Sequence, residues 1–424
     1  MSEPRPISLR VSAEAERRIR QGHPWLYSQA ILRQSRSGTA GDLAVIYDGR
    51  NRFLAIGLYD PASPLRVRIL QRHRQAEIDR AWLLGRLGSA IDAREPLSEA
   101  GMTGYRMVHG ESDGLPGLVL DRYGETLVLK LYTPAWIPRV PDVISALSEA
   151  WPSGRLILRL SRAVQGAGTI LGRYEDGMLL SGRPLKGPVL FKEHGLTFEA
   201  DPVYGQKTGF FLDQRDNRAY VETLTRGASV LDGFAYTGGF SVYAARGGAR
   251  EVLSIDVSQP ALEAARRNMA HNRADPAVRA ARHDVLVSDA FDALEGLRRA
   301  KRSFDVVILD PPAFANRQAE VPAALRAYAR LTRMGLGVLK AEGTLVISSC
   351  SGQVSEEAFA KAVYHAASQV KRPLRERSRT GHPLDHPVRF PEGAYLKCLA
   401  VQAGPASGPV ERKSHAAVSR RRGG

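Results

Sequence analysis

The chain is poor in cysteine, with only Cys350 and Cys398 among 424 residues. Two cysteines supply neither a disulfide framework nor a thiolate zinc cluster, and they point to free thiols in a reducing compartment. His382 and His386 carry a metal-like spacing, but Pro383 and Pro387 break any helix that would align them, so no metal site is expected. No apolar run approaches the roughly 20 residues of a membrane-spanning helix. The opening Met-Ser-Glu-Pro-Arg lacks the apolar core of a signal peptide. A cytoplasmic protein without membrane contact is therefore expected. Also missing are GxGxxG and GxxxxGK[ST], which argues against dinucleotide and P-loop nucleotide binding.

Acidic charge is in short supply too: 44 Asp and Glu stand against 60 Lys and Arg, a formal +16. The excess is unevenly placed. Residues 1–75 hold 13 Arg and only 6 acids, and the last 24 residues hold five basic groups and one acid. Such placement favours a polyanion, most simply nucleic acid, through phosphate neutralisation and counterion release. A GC-rich coding bias toward Arg is the alternative source of the same charge. The cluster His23-Pro24-Trp25-Leu26-Tyr27 fits either an RNA-facing surface, where aromatics stack on bases, or the core of a small domain.

The hydropathy pattern changes along the chain. Residues 1–75 show β-prone runs at Leu43–Tyr47, Phe53–Tyr59 and Leu65–Leu70, separated by the turn signals Asp48-Gly49 and Asp60-Pro61. Residues 77–95 place Ile78, Trp82, Leu83 and Leu87 on one helical stripe. Strands follow at Leu118–Asp121, Thr126–Tyr132 and Leu156–Leu160, with a helix over 139–150. Residues 161–190 lack a period and read as loop or linker. Beyond about residue 205 strands and helices alternate: strands Ser229–Asp232, Glu251–Asp256, Phe304–Leu309, Thr344–Ser348 and Ala394–Gln402, helices over 239–246, 259–272, 290–299, 322–339 and 355–369. Alternation of this kind implies βαβ units and a largely parallel, Rossmann-like sheet, so the fold class is α/β. Little apolar content remains in 403–424, which reads as a disordered basic tail ending near Arg420-Arg421-Arg422.

Several segments lie at strand ends, where open α/β sheets bind ligands. Val230-Leu231-Asp232-Gly233-Phe234-Ala235-Tyr236-Thr237-Gly238-Gly239-Phe240 runs from a strand through a glycine-bearing turn into a helix. Glycine there allows close backbone approach by a ligand and positive φ. Asp256 ends the next strand and can accept hydrogen bonds from ribose hydroxyls. Asp289 begins a later helix; alone it reads best as an N-cap acid. Three acids at successive strand-to-helix junctions favour a nucleoside ligand. Asp310 in Asp310-Pro311-Pro312-Ala313-Phe314 and Cys350 in Ser348-Ser349-Cys350-Ser351-Gly352 each follow an apolar run. A carboxylate and a thiol over one pocket suit nucleophilic attack on a flat heterocycle. Cys398, inside Tyr395–Val401, reads as core packing.

The acid series resembles class I S-adenosylmethionine-dependent methyltransferases. In that family the glycine turn contacts the methionine end, the second-strand acid holds ribose and the third acid reads the adenine amino group. The resemblance maps these roles onto Asp232 to Gly239 (with Phe234, Tyr236, Thr237 and Gly238 between), onto Asp256 with Ser258, and onto Asp289 with Ala290. Further stretches narrow it: Lys207-Thr208-Gly209-Phe210-Phe211-Leu212-Asp213-Gln214-Arg215, the Asp-Pro-Pro-Ala-Phe and Ser-Cys-Ser-Gly segments, His386-Pro387, and Pro391-Glu392-Gly393-Ala394-Tyr395-Leu396-Lys397. Together they are similar to the bacterial large-subunit (23S) ribosomal RNA 5-methylcytosine methyltransferases.

That resemblance implies a PUA-like RNA-binding domain at 1–75, a middle α/β domain at 76–190 and a methyltransferase domain at 191–402. It implies S-adenosylmethionine as cofactor, with Lys207, Thr208, Phe210 and Gln214 on the methyl-donor side, and large-subunit ribosomal RNA as partner. Many relatives have Lys where this chain has Ala313, so no role of that Lys carries over. Cys350 would be the nucleophile at carbon 6 of cytosine, its ionisation assisted by the positive end of the helix at 355–369. Asp310 would hydrogen-bond or protonate the ring nitrogen, and Phe314 would either stack on the flipped base or pack in the core. The base that removes the carbon-5 proton is left unassigned, and the oligomeric state stays open, a homodimer included. The alternatives are a guanine or adenine N-methyltransferase acting on RNA, in which the aromatic usually follows the second proline directly, and a non-catalytic RNA-binding assembly protein. A small-molecule methyltransferase is disfavoured by the basic N-terminal residues.

Overall fold

The computed structural model describes residues 6–152 and 154–405. Most of the expected tail, including Arg420–Arg422, lies outside the described residues. Ala403 is an exception: it is fully buried as the last residue of a strand.

The N-terminal residues form a six-stranded sheet in the order Trp25–Tyr27, Leu65–Arg72, Phe53–Tyr59, Leu43–Tyr47, Ile7–Val11, Ile31–Gln34. Ile7, Leu9 and Val11 alternate inward, as expected of a strand with one wet face. The three strands absent from the sequence reading are only 3–5 residues long, too short for a period to show. The helix Ala13–Arg20 starts where the Ser12 hydroxyl accepts from the Ala15 amide.

A five-stranded sheet follows: Leu179–Ser181, Arg155–Leu160, Thr126–Leu131, Leu118–Tyr123, Gly104–His109. Helices Arg80–Asp92 and Val140–Ala150 supply Leu83, Leu87 and Leu147 to a core shared with Leu129, Trp136 and Leu158. Residues 161–190 are more structured than their composition suggests. They contain a short helix, Arg162–Gln165, and the edge strand Leu179–Ser181. A hairpin, Val189–Glu193 with Leu196–Ala200, then bridges to the C-terminal sheet. Its Phe191 packs on Tyr123, Phe198 and Phe210. Gly104 leaves room for that ring, since a Cβ there would fall 1.9 Å from Phe191.

The C-terminal sheet has strands β1 (Ser229–Gly233), β2 (Glu251–Asp256), β3 (Arg282–Val287), β4 (Phe304–Leu309), β5 (Leu339–Ser349), β6 (Leu374–Thr380) and β7 (Lys397–Ala403). Their order is β3-β2-β1-β4-β5-β7-β6. The pairs from β3 through β5 are parallel, whereas β7 runs antiparallel to both neighbours. Helices α1 (Gly239–Arg246), α2 (Gln259–His271), α3 (Ala290–Arg299), α4 (Val321–Gly337) and α5 (Glu356–Gln369) cross between the strands. The sequence reading passed over β3 and β6. Both are edge strands rich in charge (Arg282, His283 and Asp284; Arg375, Glu376, Arg377 and Arg379), and the apolar run Val285-Leu286-Val287 that ends β3 is only three residues long, too short to mark a strand. Charged edges also discourage pairing with other chains. β7 begins at Lys397, three residues later than expected, because Pro391–Gly393 form a 3-10 turn before it.

Hydrogen bonds from Arg94 and Arg106 to Asp385 tie the five-stranded sheet to the C-terminal one, and each of the three residues also sits in a buried ion pair of its own. Asp385 is fully buried; its Oδ1 meets Arg215 at 3.0 Å, and its Oδ2 accepts from the Arg106 amide at 2.9 Å. Burial opposes ionisation of this carboxyl, but His386 and Arg215 outweigh it and hold the group well below the usual carboxylate range. Arg106 in turn pairs with buried Asp121, and Arg94 with Asp113. Replacing Asp385 by Ala would strand the buried Arg215 guanidinium. A loss of about 3–5 kcal/mol of stability is expected, read from the denaturant midpoint.

The cluster at residues 23–27 serves neither of its two expected roles alone. Leu26 enters the N-terminal core, while Trp25 stacks edge-on against Phe390 at 5.1 Å and His23 meets Glu392 at 3.1 Å. Trp25 Nε1 also donates to Glu111. These contacts dock the first domain against the other two.

Candidate active site

A cavity of about 500 Å³ opens at the carboxyl ends of β1, β2 and β4. β4 and β5 are paired in parallel with Leu309 beside Ile347, so Asp310 and Cys350 emerge from neighbouring strand ends. Both line the cavity.

One wall comes from residues 206–218 and from the turn between β1 and α1. Lys207, Phe210 and Gln214 line it, with Phe234, Tyr236, Thr237 and Gly239 opposite. Lys207, Phe234 and Tyr236 all have positive φ, at 53°, 66° and 48°. Non-glycine residues rarely adopt that region, and such strain concentrates at ligand sites. Gly239 keeps the floor open: a Cβ there would meet Arg218 Cδ at 3.0 Å and Phe210 Cζ at 3.3 Å. Phe210 is itself fixed by the Arg218 guanidinium, 4.7 Å above its ring, which pairs with buried Glu193.

Asp256 lines the far side, its Oδ2 accepting from the Tyr236 amide at 2.8 Å and its Oδ1 from Ser258 at 2.9 Å. Asp289 and Ala290 close that end. Asp289 is also the N-cap of α3, its Oδ1 accepting from the Phe291 and Asp292 amides. Four expected residues are not on the wall. Thr208 points away and donates to Asp121 at 2.6 Å. Ser258 caps α2, and Gly238 holds the turn at φ 75° against Ala265. Asp232 lies behind the wall, where its Oδ2 accepts from Ser241 at 2.6 Å and its buried Oδ1 has no partner. Burial lifts its pKa to about 7.

The reactive end has its own electrostatics. Gln214 Nε2 donates to Asp310 Oδ1 at 2.8 Å. Burial, and then the Asp213 charge, raises the Asp310 carboxyl to about 7. Asp213 pairs with Lys207 at 2.6 Å and accepts from Tyr395 at 2.9 Å. Burial opposes its charge, yet Lys207 and His386 keep it ionised far below the usual range. The Cys350 thiol is pushed up to about 11 by burial and by Asp310, with Lys207 pulling the other way. The expected help from α5 is outweighed. That helix begins only at Glu356, and Glu356 and Glu357 occupy its first turn.

Ser349 and Ser351 explain the serines flanking Cys350. The Ser349 hydroxyl donates to Tyr328, and the Ser351 hydroxyl accepts from the Phe314 amide at 3.0 Å. Lys397 Nζ donates to the Ser351 carbonyl at 2.6 Å. The thiol is thus carried on a loop fixed from two sides. Phe314 packs on Tyr328 at 4.8 Å and is absent from the cavity wall, which favours its core reading. Cys398 is core. Among the described residues no cluster of three metal-ligating side chains occurs. His382 instead accepts from the Tyr395 and Leu396 amides.

Residues 163–371 match the S-adenosylmethionine-dependent methyltransferase family model, and residues 9–72 match the PUA-like domain. A ribosomal RNA large subunit methyltransferase of Deinococcus radiodurans is 46% identical over 401 residues, covering 93% of this chain and 97% of that protein. The chain belongs to this methyltransferase family. A ribosomal RNA large subunit methyltransferase I of Pseudoalteromonas translucida is 36% identical over 395 residues, with 92% and 97% coverage. Among solved structures, one complexed with SAH superposes with a TM-score of 0.79 at 23% identity, covering 93% of this chain and 99% of that one. The cofactor of this methyltransferase is S-adenosylmethionine, and the glycine-floored, acid-rimmed cavity fits it.

The sequence reading gave no individual role to Phe211, Asp213, Arg218, Val257 or Leu396, which also line the cavity. Asp213 and Leu396 sit inside motifs quoted for the resemblance, so a signal existed. Val257 and Arg218 carried none.

Proposed function

We propose that the chain transfers a methyl group from S-adenosylmethionine to carbon 5 of a cytosine in large-subunit ribosomal RNA, with Cys350 as a transient covalent nucleophile. The observation that carries this reading is the sharing of one cavity by Cys350, Asp310 and the donor-side residues Lys207, Phe210 and Gln214. The names of the relatives support the RNA class, and the PUA-like domain supports RNA binding.

S-adenosylmethionine, when bound, supplies the electrophilic methyl. The Cys350 thiolate adds to carbon 6 while Asp310 donates its proton to ring nitrogen 3, making carbon 5 enamine-like and nucleophilic. After methylation a base takes the carbon-5 proton, the sulfur leaves as thiolate, and nitrogen 3 returns its proton to Asp310, which restores the ring and the enzyme. A carboxyl near 7 is well suited to proton donation at neutral pH. Trapping with RNA containing 5-fluorocytidine is expected to give a covalent adduct at Cys350. No adduct, together with a product methylated on nitrogen, would overturn the reading. The raised thiol is the one observation favouring N-methylation.

Asp256 is proposed to hold the ribose. Asp256→Ala should weaken S-adenosylmethionine binding about 10- to 100-fold by calorimetry, the cost of losing a charged hydrogen-bond acceptor.

A further inference from the structure

A second, smaller cavity of about 200 Å³ lies where all three domains meet. Arg72 comes from the first domain, Arg86 and Ser112 from the middle one and Arg389 from the catalytic one. Among the described residues none of these arginines forms an ion pair. Arg72 donates to the Gly22 carbonyl at 2.7 Å, and Arg86 to Gln71 Oε1 at 2.8 Å, while the Trp82 ring lies 5.1 Å from the Arg86 guanidinium. Neutral acceptors therefore orient both guanidiniums without neutralising them. Arg389 is exposed at the rim.

Two carboxylates share the wall, and each is engaged elsewhere. Asp113 is held by both terminal nitrogens of Arg94, at 3.0 and 2.7 Å. Glu111 Oε1 takes the Trp25 indole N–H at 2.9 Å. Ser112 is 3% exposed, and its hydroxyl has no hydrogen-bond partner. The Trp25 indole is neutral, so the Glu111 charge stays on the wall, but three guanidiniums outnumber it; burial, followed by the Arg86 charge, lowers the Arg72 pKa, as expected where like charges are gathered.

We propose that this seam binds one phosphate group of the RNA backbone, with Arg72 and Arg86 as the principal donors and Arg389 and the Ser112 hydroxyl completing the site. Planar, pre-oriented guanidiniums match phosphate geometry. A phosphate held there touches all three domains at once and would fix RNA relative to the catalytic cavity. The inference rests on the RNA reading above.

The test uses the full chain and transcribed large-subunit ribosomal RNA, with affinity measured across a salt series. Arg72→Gln, Arg86→Gln and Arg389→Gln should each weaken binding about 10-fold and flatten the salt slope by about one unit. S-adenosylmethionine binding should stay unchanged in all three, and the melting temperature in Arg389→Gln. Arg389→Gln guards against misfolding, because Arg389 makes no hydrogen bond or ion pair among the described residues. Wild-type RNA affinity and slope in all three variants would overturn the proposal. So would loss of inorganic phosphate binding in the variants with RNA binding intact, since the site would then serve free phosphate. A wild-type chain that binds no ribosomal RNA would instead defeat the RNA reading itself.

Discussion

Cys350→Ala is expected to abolish methyl transfer, lowering turnover by at least about 1,000-fold, while leaving S-adenosylmethionine affinity within about twofold. The asymmetry follows from geometry. Cys350 enters the cavity from the end of β5, across from the β1 turn, and no donor-side residue depends on its side chain for position. The thiol makes a weak contact with the Pro311 carbonyl at 3.8 Å. The loop is held by Ser349, Ser351 and Lys397, so truncating the thiol leaves the loop intact. Filter-based methyl incorporation and calorimetry on one preparation would separate the two effects. Retained turnover would point to an N-methylating enzyme.

The second large effect concerns Asp310 and pH. With the carboxyl near 7 and the thiol near 11, two protons are present on the pair below pH 7 and one between pH 7 and 11. The reactive form carries its proton on Asp310 and its charge on Cys350. That form is a small but constant share of the one-proton state. kcat/KM should therefore rise as pH passes through about 7 and then level off, rather than climb through the ordinary thiol range. Asp310→Asn cannot donate a proton to the ring, and a loss of about 100- to 1,000-fold is expected. It also removes the carboxylate that disfavours the thiolate, so the limb at pH 7 should vanish and a single rise appear below pH 11. A pH 7 limb that survives in the Asn variant would remove Asp310 from its role.

Much of the site was legible because its residues sit in short, chemically distinct strings. A strand, a glycine turn and an acid at the next strand end place Gly239 and Asp256 on one rim wherever the βαβ pattern holds, since parallel strands deliver their carboxyl ends to the same edge. Asp310 and Cys350 were paired by the same logic. Strings cannot say which way a side chain turns: Thr208 and Asp232 lie in the motifs yet face the domain seam and the core. Edge strands β3 and β6 were illegible because charge, useful at an edge, erases the apolar period.

The amino-acid order alone determined the α/β alternation, the basic N-terminal segment and the chemistry available at each strand end, because these depend on neighbours within about ten residues. Tertiary packing decided the protonation balance of Asp310, Asp213 and Cys350, since burial, together with charges that come partly from distant segments of the chain, sets each pKa. It also decided that residues 23–27 form a joint between domains, and that three arginines from separate domains converge on one seam. Coulomb energy depends on distance through space, and only the fold fixes that distance.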